Sequence, residues 1–407
     1  MSRGNVAFLI TSFPNYSETF IIDQINYLID QGFQVTIFAK TLNKEVQLTE
    51  NITRNKLLDK LVLYSQPVQM PPAIGKRIMA AMRILFSGHS QRSLLCNTCN
   101  PFRFGRKAFS LHYIFLLNNL KKYIGRPFDV AHAHFGQNGK LLFDMQQLKL
   151  LKAKRTIVSF HGSDLHFHDA AYYKKLFRSG YRFTVNSNYM ARKLEHMGAQ
   201  KAEVIPMAVN DMFLKVGTHS KNENIFTIIT IARLIPVKGI INGLKAVQKL
   251  KEEGIAIQYY IIGDGSLHES LTNWTVDHGM AGMVHFLGSQ THEEIVEYLK
   301  KADVFILPGI TTEEGAQEAQ GLVVQEAQAM YLPVIVTDAG GMREGMIHEK
   351  TGFVVKQHDV EELAGRIKQL FLDKELRKQM GAAGHDFVKQ NYSSQKLMSK
   401  LVEEVYL

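Results

Sequence analysis

The chain has 407 residues, 45% of them apolar and 21% charged, which is enough for two domains with cores of their own. No run reaches the roughly 18 apolar residues that a membrane-spanning helix needs, and the first strand-like segment begins almost at Met1 with no basic leader ahead of it. A secretory signal is therefore not expected, and the cytoplasm is the default address. The net charge of +10 is unevenly placed: residues 1–210 hold 28 Lys and Arg against 12 Asp and Glu, and the remainder 20 against 26. A basic half of this kind suits nucleic acid, an anionic membrane surface, or simply a solvated lysine-rich face.

In chain order, residues 6–10 (VAFLI) read as a buried strand. Ser17 is a plausible N-cap ahead of Glu18, and Ile21, Ile25, Leu28 and Ile29 follow at helical spacing until Gly32. Further strands are predicted at 34–39, 129–133, 155–160 and 182–186. Residues 65–127, rich in Lys, Arg, Phe, Leu and Ile, interrupt this rhythm and read as an insertion of basic amphipathic helices. The polar stretch 215–224 looks like a linker. The alternation then restarts, with strands at 226–231, 257–262, 284–287, 303–307 and 333–337. Helices are predicted from about 240, over 292–300 and from Leu322 to Met330, and the tail is helical from about 359. This is an α/β pattern of two doubly wound, Rossmann-like domains, whose ligand cleft lies at the C-terminal ends of the strands. The expected division is 1–214, 215–390, and a C-terminal helix over 391–407 packing back toward the N-terminal domain.

Two segments carry the chemistry. Arg233 and Lys238 share one strand-to-helix loop, ARLIPVKG at 232–239. Cations at a helix N-terminus favour anionic oxygens, although ordinary loop charge explains the same residues. In EAQGLVVQE (318–326), Glu318 lies before a helix and Glu326 inside it. Gly321 and Leu322 open that helix, which aims their N–H groups outward.

Together these segments resemble family 4 of the retaining glycosyltransferases, which have the GT-B architecture of two Rossmann-like domains facing a central cleft. The likeness spans nearly the whole chain and is densest over 226–356, through R-x4-K-G, Glu-x7-Glu and TGFVV. The segments SFPNYSETFI, HFG (134–136) and HGSD (161–164) resemble the subgroup that builds exopolysaccharide or colanic-acid-type repeat units. The resemblance implies that Arg233 and Lys238 clamp the diphosphate and that Glu318 faces the donor sugar. It places the N–H groups of Gly321, Leu322 and Val323 on the sugar or phosphate, Glu326 on the ribose, and Leu287 and Gly288 beside the nucleobase. His161 is implied near the donor sugar, and His134, Gly136 and Asp164 are implied substrate-binding positions. The implied donor is a nucleoside-diphosphate sugar, transferred with retention and without a metal to a saccharide acceptor. A lipid-linked acceptor, with the protein peripheral at the inner face of the cell membrane, would give the basic half a use. One departure stands out: Ala319-Gln320-Gly321 follow the first Glu, where the family often has Gly-Phe-Gly. Glu313 or Glu314, in the long acidic loop before it, could replace some contacts.

Other readings are weaker. The crowd of His161, Asp164, His166, His168 and Asp169 lies in a single loop, which argues against a metal site. No Asp-x-Asp pair of the metal-dependent transferases is present. Gly263-Asp264-Gly265 fails the dinucleotide fingerprint because residue 268 is His. His112 and His132 read as core or edge residues, and Cys96-x-x-Cys99 lacks the context for redox or metal chemistry. No nucleic-acid-binding module is recognisable. A nucleotide-sugar epimerase of the same architecture and a non-catalytic sugar-nucleotide-binding subunit are the remaining alternatives.

Overall fold

The computed structural model describes residues 3–15, 18–44, 49–86, 98, 100–165, 168–217 and 225–407, without the side chains of Arg103 and Arg106. Ser17, Cys96, Cys99 and His166 therefore lie outside the described residues. Backbone contacts divide the chain into two compact units. One comprises Met1–Val185, Leu194–Glu203 and Val402–Leu407; the other comprises Asn186–Lys193 and Val204–Leu401.

The first unit is built on β1 (Asn5–Phe13), β2 (Gln34–Leu42), β3 (Leu61–Leu63), β4 (Pro127–His134), β5 (Lys152–Phe160), β6 (Arg182–Val185) and β7 (Glu203–Val204), in the order β3-β2-β1-β4-β5-β6-β7. Pairing is parallel from β3 through β6. Val6–Ile10 is buried at every position, as expected of a parallel strand covered on both faces. The order reverses between β1 and β4, which sets the ligand crevice of such a sheet beyond the C-terminal ends of those strands.

Between β3 and β4 lie the helices Ile74–Phe86, Pro101–Phe104, Arg106–Phe109 and His112–Leu120. The last of these departs from the amphipathic expectation. Tyr113, Ile114, Phe115, Leu116, Leu117 and Leu120 are all buried, because the segment is apolar around most of its circumference. Residues Val402–Leu407 also belong to this unit, where Arg155 and Arg182 donate to the carbonyls of Tyr406 (3.0 Å) and Glu404 (2.8 Å).

The second unit carries β8 (Phe226–Ile231), β9 (Ile257–Ile262), β10 (Val284–Phe286), β11 (Val304–Leu307), β12 (Val334–Thr337) and β13 (Gly352–Val355), in the order β10-β9-β8-β11-β12-β13, all parallel. Here the order reverses between β8 and β11. The unit reaches back before the polar stretch 215–224 to include Asn186–Lys193. That inclusion has a local cause: the Glu344 carboxylate accepts from the backbone N–H groups of Asn188 (2.6 Å) and Tyr189 (2.7 Å).

Candidate active site

In the second unit the loop after β8 carries Arg233 and ends in the short turn Pro236–Lys238. Gly239 follows at φ 60°, and a Cβ there would lie 1.9 Å from the carbonyl oxygen of Pro308. Only glycine lets the lysine loop come this close to the end of β11. The Lys238 Nζ pairs with the Glu318 carboxylate, both side chains being mostly buried. Burial presses the Glu318 carboxyl upward, but Lys238, the Ala319 N–H and Arg233 more than reverse this and hold it below the usual carboxylate range. Arg233 itself is exposed. Glu313 and Glu314 are also exposed, so Glu318 is the carboxylate of this loop that meets the lysine.

Helix Leu322–Ala329 starts directly after Gly321, where a Cβ would lie 3.5 Å from the Glu318 side chain. The N–H groups of Gly321, Leu322 and Val323 are at the N-terminal end of this helix, which favours anions. Glu326, one turn inside, is buried. No cation or donor meets it among the described residues, and burial pushes its carboxyl up to about 7. Leu287 and Gly288 follow β10, where the Gly263 N–H donates to the Gly288 carbonyl at 2.8 Å.

The first unit gathers a different set at the end of β4 and β5. His132, His134 and His161 are stacked in sequence, with ring centroids 4.3 and 5.3 Å apart. Phe8, Phe20 and Phe135 pack around them. The His134 Nδ1 and His161 Nε2 share a hydrogen bond of 3.0 Å, while His134 Nε2 and His161 Nδ1 are buried without partners. One shared proton links the tautomers: whichever ring donates, one orphan atom is a donor and the other an acceptor. Burial lowers all three rings, His132 and His161 to about 3 and His134 well below its ordinary value. The rings are therefore neutral across the physiological range.

His132 is held independently, by the Ser159 hydroxyl at 2.6 Å and the Tyr406 hydroxyl at 2.6 Å. It is a satisfied core histidine. Gly136 and Asp164 are joined to this cluster through the backbone. The buried Asp164 carboxylate accepts from the N–H groups of Gly136 (2.9 Å), Gly162 (2.9 Å) and His161 (3.2 Å), and so fixes the loop that presents His161. A Cβ on Gly136 would lie 2.4 Å from Phe160, so this helix start can contact the sheet only with glycine. Among the described residues no group of three or more His, Cys, Asp or Glu is arranged to hold a metal ion.

Residues 17–212 match the family described as Glycosyltransferase Family 4, and residues 214–387 match Glycosyl transferases group 1. This chain belongs to these glycosyltransferases. The putative colanic acid biosynthesis glycosyltransferase WcaL of Escherichia coli K12 is 28% identical over 372 residues, 89% of each chain. The amylovoran biosynthesis glycosyltransferase AmsK of Erwinia amylovora is 28% identical over 379 residues, 90% of each. The fold is shared with a Rickettsia africae glycosyltransferase (TM-score 0.69, 18% identity, covering 99% of this chain and 97% of that one). It is shared also with Anabaena Alr3699/HepE, solved with UDP (TM-score 0.68, 14% identity, covering 100% and 99%). The two parallel-sheet units of the glycosyltransferase are accordingly of GT-B type.

Several groups in the glycosyltransferase escaped the sequence reading. The Gln320 amide accepts from the Met207 N–H (2.8 Å) and donates to the Met207 carbonyl (3.0 Å). The Ser187 hydroxyl donates to the Ala319 carbonyl at 2.6 Å. These bonds fix the loop that carries Glu318, and they give a structural reason for Gln320 where the family often has Phe. Glu18, at the start of helix Thr19–Asp30, is pushed up to about 7 by burial against a smaller opposing bond from Asn15. Its only sequence signal was its place in SFPNYSETFI.

Proposed function

We propose that this glycosyltransferase moves a hexose, with retention of configuration, from a nucleoside-diphosphate sugar to a lipid-linked saccharide during exopolysaccharide assembly at the inner face of the cell membrane. The observation that carries the reading is the Lys238–Glu318 pair beside the N-terminus of helix Leu322–Ala329 at the end of β8 and β11. The names of the colanic acid and amylovoran relatives support the polymer, and solved neighbours in complex with UDP and UDP-glucose support the donor class.

On this reading the diphosphate takes the Lys238 ammonium and leaves Glu318 to accept sugar hydroxyls. Arg233 and the N–H groups of Gly321 to Val323 meet the remaining phosphate oxygens, Glu326 the ribose, and Leu287 and Gly288 flank the base. The neutral His161 is assigned to the donor sugar as well. As the bond from the anomeric carbon to the phosphate oxygen breaks, negative charge grows on that oxygen, and the cations and N–H groups stabilise it most at that moment. The same oxygen takes the proton of the acceptor hydroxyl, whose oxygen bonds the anomeric carbon on the face the phosphate leaves. No enzymic nucleophile and no metal is required.

The experiment is incubation of the whole chain with a panel of labelled nucleotide sugars and lipid-linked acceptors, with and without EDTA, and assignment of the product linkage by NMR. Transfer with retention, undiminished by EDTA, is expected. An isomerised nucleotide, binding without turnover, an inverted product, or activity that EDTA removes and Mg²⁺ restores would each overturn the corresponding part of the reading.

A further inference from the structure

Between Asp59 and Asp129 the chain carries eleven Lys and Arg and no Asp or Glu. Helix Ile74–Phe86, 13 residues and about 20 Å long, lies within this stretch. Ala81 and Ile84 are its buried side. Ile74, Ile78, Met82 and Phe86 follow one another at every fourth residue on another side, with Met79 next to them. Their exposure runs from 44% at Met82 to 83% at Phe86. Together they cover an apolar arc of roughly 140° of the helix. Lys76 and Arg83 border this arc, both exposed and without an acidic partner among the described residues. Single exposed apolar residues are ordinary on protein surfaces, but a continuous stripe of five is not.

Not all the cations of the stretch are free for a partner. Arg77 donates to the carbonyls of Pro71 (2.8 Å) and Pro72 (2.8 Å), which ties the helix to the unit. Lys107 pairs with Asp144 at 3.2 Å and lies over the Tyr113 ring. Arg92 and the side chains of Arg103 and Arg106 lie outside the described residues. The cations available to a partner on this helix are the two that border the stripe.

We infer that this exposed face of helix Ile74–Phe86 docks on an anionic lipid bilayer, with Ile74, Ile78, Met79, Met82 and Phe86 entering the headgroup boundary and Lys76 and Arg83 meeting acidic headgroups. An interfacial helix needs both kinds of group, an apolar side of this width and cations along its edge. Nucleic acid would use the cations but has no use for the stripe. No helix among the described residues is long and apolar enough to cross a membrane. The inference deepens the membrane part of the proposed function, and it rests on this helix alone rather than on the transfer chemistry.

The test is co-sedimentation of the full chain with vesicles of phosphatidylcholine, alone or mixed with phosphatidylglycerol, over a range of salt. The unaltered protein should bind the mixed vesicles at least tenfold more tightly than the neutral ones, and less tightly as salt rises. Ile78→Ser with Met82→Ser and Phe86→Ser should lower binding at least tenfold, as should Lys76→Ala with Arg83→Ala. All five residues are exposed, so unchanged thermal unfolding should show that both variants fold. Equal binding to neutral and mixed vesicles overturns the inference, as does undiminished binding by either variant. So does duplex DNA that binds more tightly than vesicles and tolerates the apolar changes. Failure to bind vesicles with sugar transfer intact removes the docking surface alone, whereas vesicle binding without transfer removes only the catalytic reading.

Discussion

In the first unit three stacked histidines are kept neutral by burial, whereas in the second Glu318 is kept ionised, against burial, by Lys238 and Arg233. Burial is common to both regions, and what differs is whether a countercharge was built beside the buried group. A sugar hydroxyl calls for a fixed neutral donor or acceptor. A departing diphosphate calls for charge already in place. The proposed function gives the two clusters these separate tasks, and each variant below removes the feature that makes its region what it is.

The largest effect is expected where charge is removed from the ionised region. Lys238→Ala should lower turnover about a hundredfold, near 2.7 kcal/mol of transition-state stabilisation. Glu318→Gln, which keeps the shape and removes the charge, should also cut turnover strongly with little change in nucleotide affinity. Turnover at saturating donor and a nucleotide dissociation constant check both. Unchanged turnover in Lys238→Ala would mean that the pair is merely a structural ion pair, and the contrast between the regions would lose its functional meaning.

The neutral region should show itself through pH. A histidine lowered to about 3 in the folded chain, from about 6.5 unfolded, binds fewer protons folded than unfolded between those values. Stability is therefore complete above about 6.5 and falls as pH drops toward 3, by about 1.4 kcal/mol per pH unit for each such group. His161→Asn should lower turnover roughly tenfold and make this acid slope shallower. The rate should carry no histidine titration between about pH 5 and 8 in the parent. Unfolding by denaturant at several pH values, together with a pH–rate profile, checks both statements. Because Glu18 and Glu326 also titrate near 7, only a titration that persists in Glu326→Gln and disappears in His161→Asn would show that one of these rings ionises in turnover.

Much of this arrangement was legible in the sequence, and the rest has an identifiable reason for being hidden. The strands 226–231 and 257–262 match β8 and β9 because buried parallel strands are short unbroken apolar runs with turn residues at both ends. Lys238 and Glu318 were readable as motif residues, though 80 positions separate them and only the fold brings them together. The acceptor bond of Asp164 from the Gly136 N–H, 28 residues away, leaves no local pattern in the sequence. The tie between His134 and His161, 27 residues apart, was hidden for the same reason. TGFVV reads as a motif but not as the edge strand β13, since four residues are too few to show a period.

Glu326 sits between the two regimes, since it is buried like the histidines but lacks the cation that Glu318 has. Its carboxyl, near 4.5 unfolded and about 7 folded, takes up protons on folding between those values, so its contribution to stability falls as pH rises through that window. Glu326→Gln removes the burden. It should stabilise the ligand-free protein by about 1–2 kcal/mol at pH 8, with the gain vanishing near pH 4, while nucleotide affinity weakens. A thermal-shift series with and without UDP reads both effects. A stability gain independent of pH would place another group in control.

The smallest expected effect concerns what holds the ionised region in place. The Gln320 side chain satisfies both the N–H and the carbonyl of Met207, and its neighbour Ala319 is tied to the Ser187 hydroxyl. Gln320→Ala leaves both Met207 groups without these partners. Part of that loss will be met by water, so a destabilisation of about 1–2 kcal/mol is expected. The charges on Lys238 and Glu318 are untouched, so any catalytic effect must come through geometry. The prediction is a few-fold loss in turnover, with the Glu318 contribution preserved: Glu318→Gln should cost the same factor in the Gln320→Ala background as in the parent. A double-mutant cycle measures this. Strong coupling would show that Gln320 sets where the carboxylate stands. Additivity would confine Gln320 to holding the loop and leave the countercharge alone responsible for keeping Glu318 ionised.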